Sequence, residues 1–163
     1  MQDAYEDVLS FHQHNGYAVE KPLEVHVTKV HDRYYSDLIR ECGNMLLNTA
    51  DRLQRAACES QAQGDCRLYR AALMMEELGE TLIALANKDI IETADGLTDL
   101  LYVVVGTFVT FGLPMAKLFE EVHDSNMTKK PPTSDDPRMR DKGTGYKPPD
   151  IEGVLKIGRW LRL

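Results

Sequence analysis

The 163-residue chain has little of what scaffolds and cofactor sites are commonly built from. It has three cysteines, Cys42, Cys58 and Cys66. The number is odd and no pair has CxxC spacing, which excludes a disulfide framework and a zinc ribbon and fits a reducing cytoplasm. No GxxxxGK[ST] occurs, so there is no P-loop. No histidine follows a glutamate by three residues on the acidic helices, so the di-iron ExxH signature is missing. No DDxxD speaks for prenyl-diphosphate chemistry. Basic charge is scarce: 19 Lys and Arg against 26 Asp and Glu give a net charge of −7. A general nucleic-acid binder would carry a basic face, so none is expected as a partner. The start, Met1-Gln-Asp-Ala-Tyr-Glu-Asp, has no basic and no apolar region, and no signal peptide is expected. The longest apolar run, Leu100 to Phe111, is broken by Gly106 and two threonines. It is expected to be too short to span a bilayer, so no membrane partner is expected.

What remains is helical. Hydrophobic residues make up 43% and charged residues 28%, ordinary values for a chain with one real core. Apolar positions recurring every three or four residues predict helices over about 3–14, 27–62, 66–86, 90–111 and 114–125. Asn15-Gly16, Gly64-Asp65, Asn87-Lys88-Asp89 and Gly112 punctuate them. Residues 130–150 are rich in Pro, Gly, Asp and Lys and read as a loop or strap. Residues 151–163 resume apolar character as a short helix, with Trp160 anchoring the tail. The expected fold is one all-α domain over residues 1–163, a helical bundle with a Pro/Gly-rich C-terminal loop segment.

Chemistry enters with six acids on two otherwise apolar stretches. Glu77 and Glu80 are spaced i, i+3, beside Glu76, on one helix. Glu92, Asp95 and Asp99 form an i, i+3, i+7 stripe on the next. A short connection makes the two helices antiparallel neighbours, so the stripes face each other. Any one such cluster is most often solvated surface. Asp99, however, precedes Leu-Leu-Tyr-Val-Val-Val, a stretch apolar all round and expected to be central to the fold. Carboxylates gathered there must be paired, protonated or metal-bound. Hard oxygen donors suit Mg2+, with Mn2+ as an alternative.

Several ordered segments then carry a resemblance. Arg70-Ala-Ala-Leu-Met-Met-Glu76-Glu77-Leu-Gly-Glu80 resembles the RxxLxxEExxE helix of the all-α nucleoside triphosphate pyrophosphohydrolases, the MazG-like superfamily. Asp95-Gly-Leu-Thr-Asp99 is similar to its second metal helix. Phe119-Glu-Glu-Val-His-Asp-Ser-Asn126-Met-Thr-Lys129 and Lys142-Gly-Thr-Gly-Tyr146-Lys-Pro-Pro-Asp150 resemble segments of the phosphoribosyl-ATP pyrophosphohydrolase-like branch. The resemblance implies an all-helical homo-oligomer, usually a dimer. It implies Mg2+-dependent cleavage of a nucleotide between its α and β phosphates, giving a nucleoside monophosphate and pyrophosphate, as in nucleotide-pool housecleaning. A helical oligomer that binds metal and nucleotide without hydrolysis is the competing reading, and an adaptor with surface acids a third.

By role, Glu77, Glu80 and Asp99 are the expected main metal ligands, with Asp95 and Glu76 completing the set. Glu76 or Glu80 orients or deprotonates the attacking water. Asn126 reads as a contact to base or sugar, or as a helix C-cap. Lys129 reads as a phosphate contact or plain surface, and Lys142 and Tyr146 as closing over phosphates from the loop. Arg70 pairs with an acid or reaches phosphate. Two departures from the pattern stand out. Gly96 occupies the position three before Asp99, so Asp95 takes the acidic role, leaving Glu92 a fifth ligand, a base or a surface acid. The segment between Pro22 and Arg70 is longer than usual and is expected to serve an interface, a lid or substrate choice.

Overall fold

The computed structural model describes residues 2–20, 23, 28–59, 65–130 and 143–157. Six helices and no strand occur among the described residues: α1 (Gln2–Asn15), α2 (Lys29–Cys58), α3 (Cys66–Asn87), α4 (Ile90–Phe111), α5 (Met115–Met127) and α6 (Ile151–Ile157). The all-helical expectation is met, with bounds within a few residues. Trp160 lies outside the described residues, as does Lys142.

Local chemistry sets the ends. Asn15 donates through its amide to the Phe11 carbonyl at 2.8 Å, and Gly16 follows at φ +68°. Thr28 caps α2, its hydroxyl accepting from the His31 amide. Asp65 caps α3 by accepting from the Arg67 amide at 3.0 Å. Lys88 closes α3 in the left-handed region. Asp89 starts α4, accepting from the amides of Ile91 (3.0 Å) and Glu92 (3.2 Å).

The chain divides into two compact units, residues 22–111 and residues 1–21 with 112–163. In the first, α3 is the middle helix, packed by α2 on one side and α4 on the other. Its core is built from small side chains: Ala50, Ala72, Ala84, Ala86, Val103 and Thr81. Small residues let helices approach closely. A Cβ on Gly43 would sit 2.8 Å from the Gly79 carbonyl oxygen, so α2 and α3 touch backbone to backbone there. The antiparallel run is tied at one end by Lys88 Nζ to Asp32 (2.6 Å) and by Arg40 donating to Asn87 (3.1 Å). Arg70 ties α3 to α4, donating to the Val103 carbonyl (2.5 Å) and the Thr107 hydroxyl (3.2 Å).

Two expectations about α4 are corrected. The stretch after Asp99 is not central. Val103 is buried, but Tyr102 is 80% and Val109 76% exposed, and Leu101 and Leu97 are exposed too. Among the described residues of its unit, α4 packs on α3, and no other described helix of that unit covers its outer face. The bilayer expectation, made on the run from Leu100, was too narrow. The whole 22-residue α4 is long and apolar enough to cross a membrane by length and composition.

In the second unit α5 packs with α1 and with α6. The described part of the C-terminal strap is pinned to α5. Ser125 donates to the Lys147 carbonyl at 2.7 Å, the Lys147 amide donates to the Thr128 hydroxyl at 2.9 Å, and the Asp150 amide donates to Glu121 at 2.7 Å.

Candidate active site in an acidic cleft

Helix geometry alone places the acids. On α3, Glu80 shares a face with Ile83, Ala84 and Asn87. On α4, Glu92, Asp95, Gly96 and Asp99 share another. The two faces line one cleft of about 380 Å3, with Asp89 between them. The helices meet closely because position 96 has no side chain. A Cβ there would lie 2.7 Å from the Thr81 hydroxyl oxygen and 3.2 Å from the Thr81 Cα. Thr81 itself is 2% exposed and donates to the Glu77 carbonyl at 2.7 Å, which keeps its hydroxyl satisfied within α3.

Burial differs among the six acids. Glu80, Glu92, Asp95 and Asp99 are exposed, whereas Glu76 and Glu77 are half-buried. The premise of six acids set against the core therefore holds for only two of them. Glu77 is the electrostatic centre. Burial pushes its carboxyl above the usual glutamate value, and the negative charges of Asp99, Glu80, Glu76 and Asp95 push it the same way. Four carboxylates from two helices thus act on one. Glu76 is oriented from α2: Gln54 donates its amide N–H to Oε2 of Glu76 at 2.8 Å. One oxygen of Glu76 is thereby occupied.

Among the described residues no three His, Cys, Asp or Glu side chains converge tightly enough to hold an ion as they stand. The donor set still fits a hard divalent cation. Every candidate ligand is a carboxylate, and the negative charges of Asp99, Glu80, Glu76 and Asp95 around half-buried Glu77 are ones a cation would relieve.

The remaining candidates fall elsewhere. Arg70 is engaged with α4 through a backbone carbonyl and a hydroxyl, and no acid pairs with it among the described residues. The expected ion pair is replaced by a neutral clamp. Glu92 lines the cleft. In the other unit, Asn126 and Lys129 come together, Lys129 Nζ donating to Asn126 Oδ1 at 2.6 Å, and Lys129 also lies 6.0 Å from the centre of the Tyr146 ring. Asn126 is not the helix cap; Thr128 is. Two residues escaped sequence reasoning. Gln54 lies 22 positions from its partner, and no local pattern announces that pairing. Asp89 was read as turn, although an Asp just before an apolar helix is a capping signal.

The family model for phosphoribosyl-ATP pyrophosphohydrolase matches residues 45–126, half of the chain. The span covers Gln54, both acidic stripes, Arg70 and Asn126. No curated protein and no solved structure matches the chain.

Proposed function

The chain belongs to the phosphoribosyl-ATP pyrophosphohydrolase family, and from that premise we propose that it hydrolyses a nucleoside triphosphate between the α and β phosphates, with Mg2+ or Mn2+. Membership makes the protein a hydrolase of acid anhydrides that acts on nucleotide-like substrates. Choice of a triphosphate, release of a nucleoside monophosphate with pyrophosphate, a role in clearing surplus nucleotides and metal dependence are the finer steps of this reading. The observation that carries it is the cleft between α3 and α4 lined by Glu80, Glu92, Asp95 and Asp99, where the charges of Asp99, Glu80 and Asp95, with Glu76, act on half-buried Glu77. That concentration of charge repels a bare polyphosphate and suits one that arrives with a cation.

Glu77, Glu80, Asp95 and Asp99 would hold the cation, with Glu76 completing the set and Glu92 at the edge of the cleft. When bound, the cation supplies positive charge against the phosphate oxygens and makes water a better nucleophile at neutral pH. The residues of the chain do the rest. Gln54 fixes one oxygen of Glu76, so the other is left to orient the attacking water and accept its proton. Glu80, exposed in the cleft, is the second candidate for that proton. The packing of Gly96 on Thr81 sets the separation of the two acid-bearing helices. In their own unit, Asn126, Lys129 and Tyr146 offer a donor, a charge and a ring that would suit sugar, phosphate or base.

The exposed apolar face of α4 supports a homo-oligomer, a dimer in its simplest form. Ile91, Leu101, Tyr102 and Val109 are too many large apolar side chains for an ordinary monomer surface. A bilayer is a poorer cover, because Glu92, Asp95 and Asp99 occupy the first ten residues of the same helix.

Release of pyrophosphate from a panel of nucleoside triphosphates and phosphoribosyl-ATP, with Mg2+ and with Mn2+, tests the reading. Turnover is expected from the wild type and is abolished in Glu77→Gln and Asp99→Asn. A folded wild type that turns over no member of the panel refutes it.

A further inference from the structure

We propose that a second hollow, on the same face of α3 as the acidic cleft, receives the nucleoside end of the substrate, with the Tyr69 ring as the surface on which the base stacks. The proposal rests on the hydrolytic reading and names where its substrate lies. Cys66, Tyr69, Leu73, Glu76, Glu80, Ile83 and Asn87 recur at intervals of three or four, so they follow one side of the helix. The C-terminal part of that side lines the acidic cleft. The N-terminal part, with Gln54, Ala57 and Cys58 of α2, lines a hollow of about 530 Å3. That volume is within the range of small-molecule sites.

The two openings are joined by one side chain. Gln54 lines the hollow and donates to Glu76, at the edge of the acid cluster. At a rise of about 1.5 Å per residue, Leu73 is roughly 4.5 Å along α3 from Glu76 and Tyr69 roughly 10 Å. A ligand seated in the hollow therefore lies about one to two helical turns from the acid cluster, with the Gln54–Glu76 pair between them.

Charge divides the same way along α3 as it does along a nucleotide. The polyphosphate end needs a cation and the acids that hold it. The nucleoside end is flat and nearly uncharged. The hollow is mostly apolar, and its one acid, Asp65, is already engaged by Arg67 through the backbone amide and the guanidinium, at 2.6 to 3.1 Å. Tyr69 is 53% exposed at the hollow, leaving ring surface for stacking. The Gln54 amide spends one N–H on Glu76. Its second N–H and its carbonyl oxygen suit the donor and acceptor edges of a base.

The cysteines provide a test that does not depend on turnover. Cys58 and Cys66 line the hollow, and Cys42 sits elsewhere on α2; all three thiols are free and exposed. The wild-type protein is alkylated with Mg2+ present, with and without α,β-methylene-ATP, and each site is followed by mass spectrometry. With the analogue at ten times its Kd, labelling of Cys58 and Cys66 slows about tenfold while Cys42 is unchanged. Inorganic tripolyphosphate, which lacks the nucleoside, gives no protection. In parallel, Tyr69→Ala raises KM for the preferred nucleotide roughly 5- to 100-fold with little change in kcat, and Tyr69→Phe, which keeps the ring, restores it. If the wild type hydrolyses nucleotide but the bound analogue leaves Cys58 and Cys66 as reactive as before, or Tyr69→Ala leaves KM unchanged, the hollow is not the nucleoside site and the hydrolytic reading stands. If the wild type neither binds nor hydrolyses any nucleotide, both fall together.

Discussion

Substituting Gly96 by alanine adds one methyl group where α3 and α4 are closest beside the acids. The new Cβ would lie 2.7 Å from Oγ1, 3.2 Å from Cα and 3.4 Å from Cβ of Thr81. The Cα is backbone and cannot swing aside, so α4 must retreat by a few tenths of an ångström. Overpacking of this kind costs about 1–3 kcal/mol. Replacing glycine by alanine inside a helix returns about 1 kcal/mol. The net loss is then about 0–2 kcal/mol, small enough for the protein to stay folded. Catalysis is less forgiving. Asp95 and Asp99 move away from Glu77 and Glu80, and a 1 Å misplacement can cost about a hundredfold. A shift of a few tenths of an ångström predicts a loss of roughly tenfold in kcat, together with weaker metal activation. The assay pairs denaturant unfolding in chelator with kcat as a function of Mg2+. Adding Thr81→Ala removes the closest atom in the clash but leaves the Cα at 3.2 Å, so Gly96→Ala/Thr81→Ala should regain part of both losses. If Gly96→Ala matches the wild type in both measurements, or if Thr81→Ala rescues neither, the two helices do not set the site by contact at this point.

Two further outcomes follow from electrostatics and from exposed surface. Glu77 binds its proton more tightly in the folded chain than its ordinary value of 4.5 would give, because of burial and four nearby carboxylates. Its contribution is therefore fully favourable below that value and is lost as pH rises through the raised one. In chelator, the urea midpoint of the wild type should fall relative to Glu77→Gln between pH 4.5 and 8, and Mg2+ should stabilise the wild type more than the variant. Parallel curves for the two proteins, with and without Mg2+, would contradict the charge cluster. On the outer face of α4, Leu101→Asp with Val109→Lys should convert a dimer to a monomer in sedimentation equilibrium. A wild type already monomeric at tens of micromolar would remove the oligomer from the reading.

Much of the fold was legible in the chain because periodicity and punctuation are local. Asn15-Gly16, Asp65, Lys88 and Gly112 end or start helices through their own backbone and side-chain chemistry. The two acidic stripes were legible for the same reason: residues three or four apart share a helix face wherever that helix sits. Burial was not legible. Leu-Leu-Tyr-Val-Val-Val reads as core in isolation, yet Leu101 and Tyr102 face outward because no described helix of the unit covers that side of α4. Nor was Arg70. Its positive charge suggested an acid partner, and only the approach of α4 supplied a carbonyl and a hydroxyl instead.

Sequence by itself determined the helices, the facing acids and, through several ordered motifs, the family, since each depends on spacing within short stretches of chain. Tertiary structure decided which acids are half-buried, that Gln54 holds Glu76, and that Gly96 lies on Thr81. Those are contacts between helices, fixed by how closely small side chains let two backbones approach, and no local pattern encodes that distance.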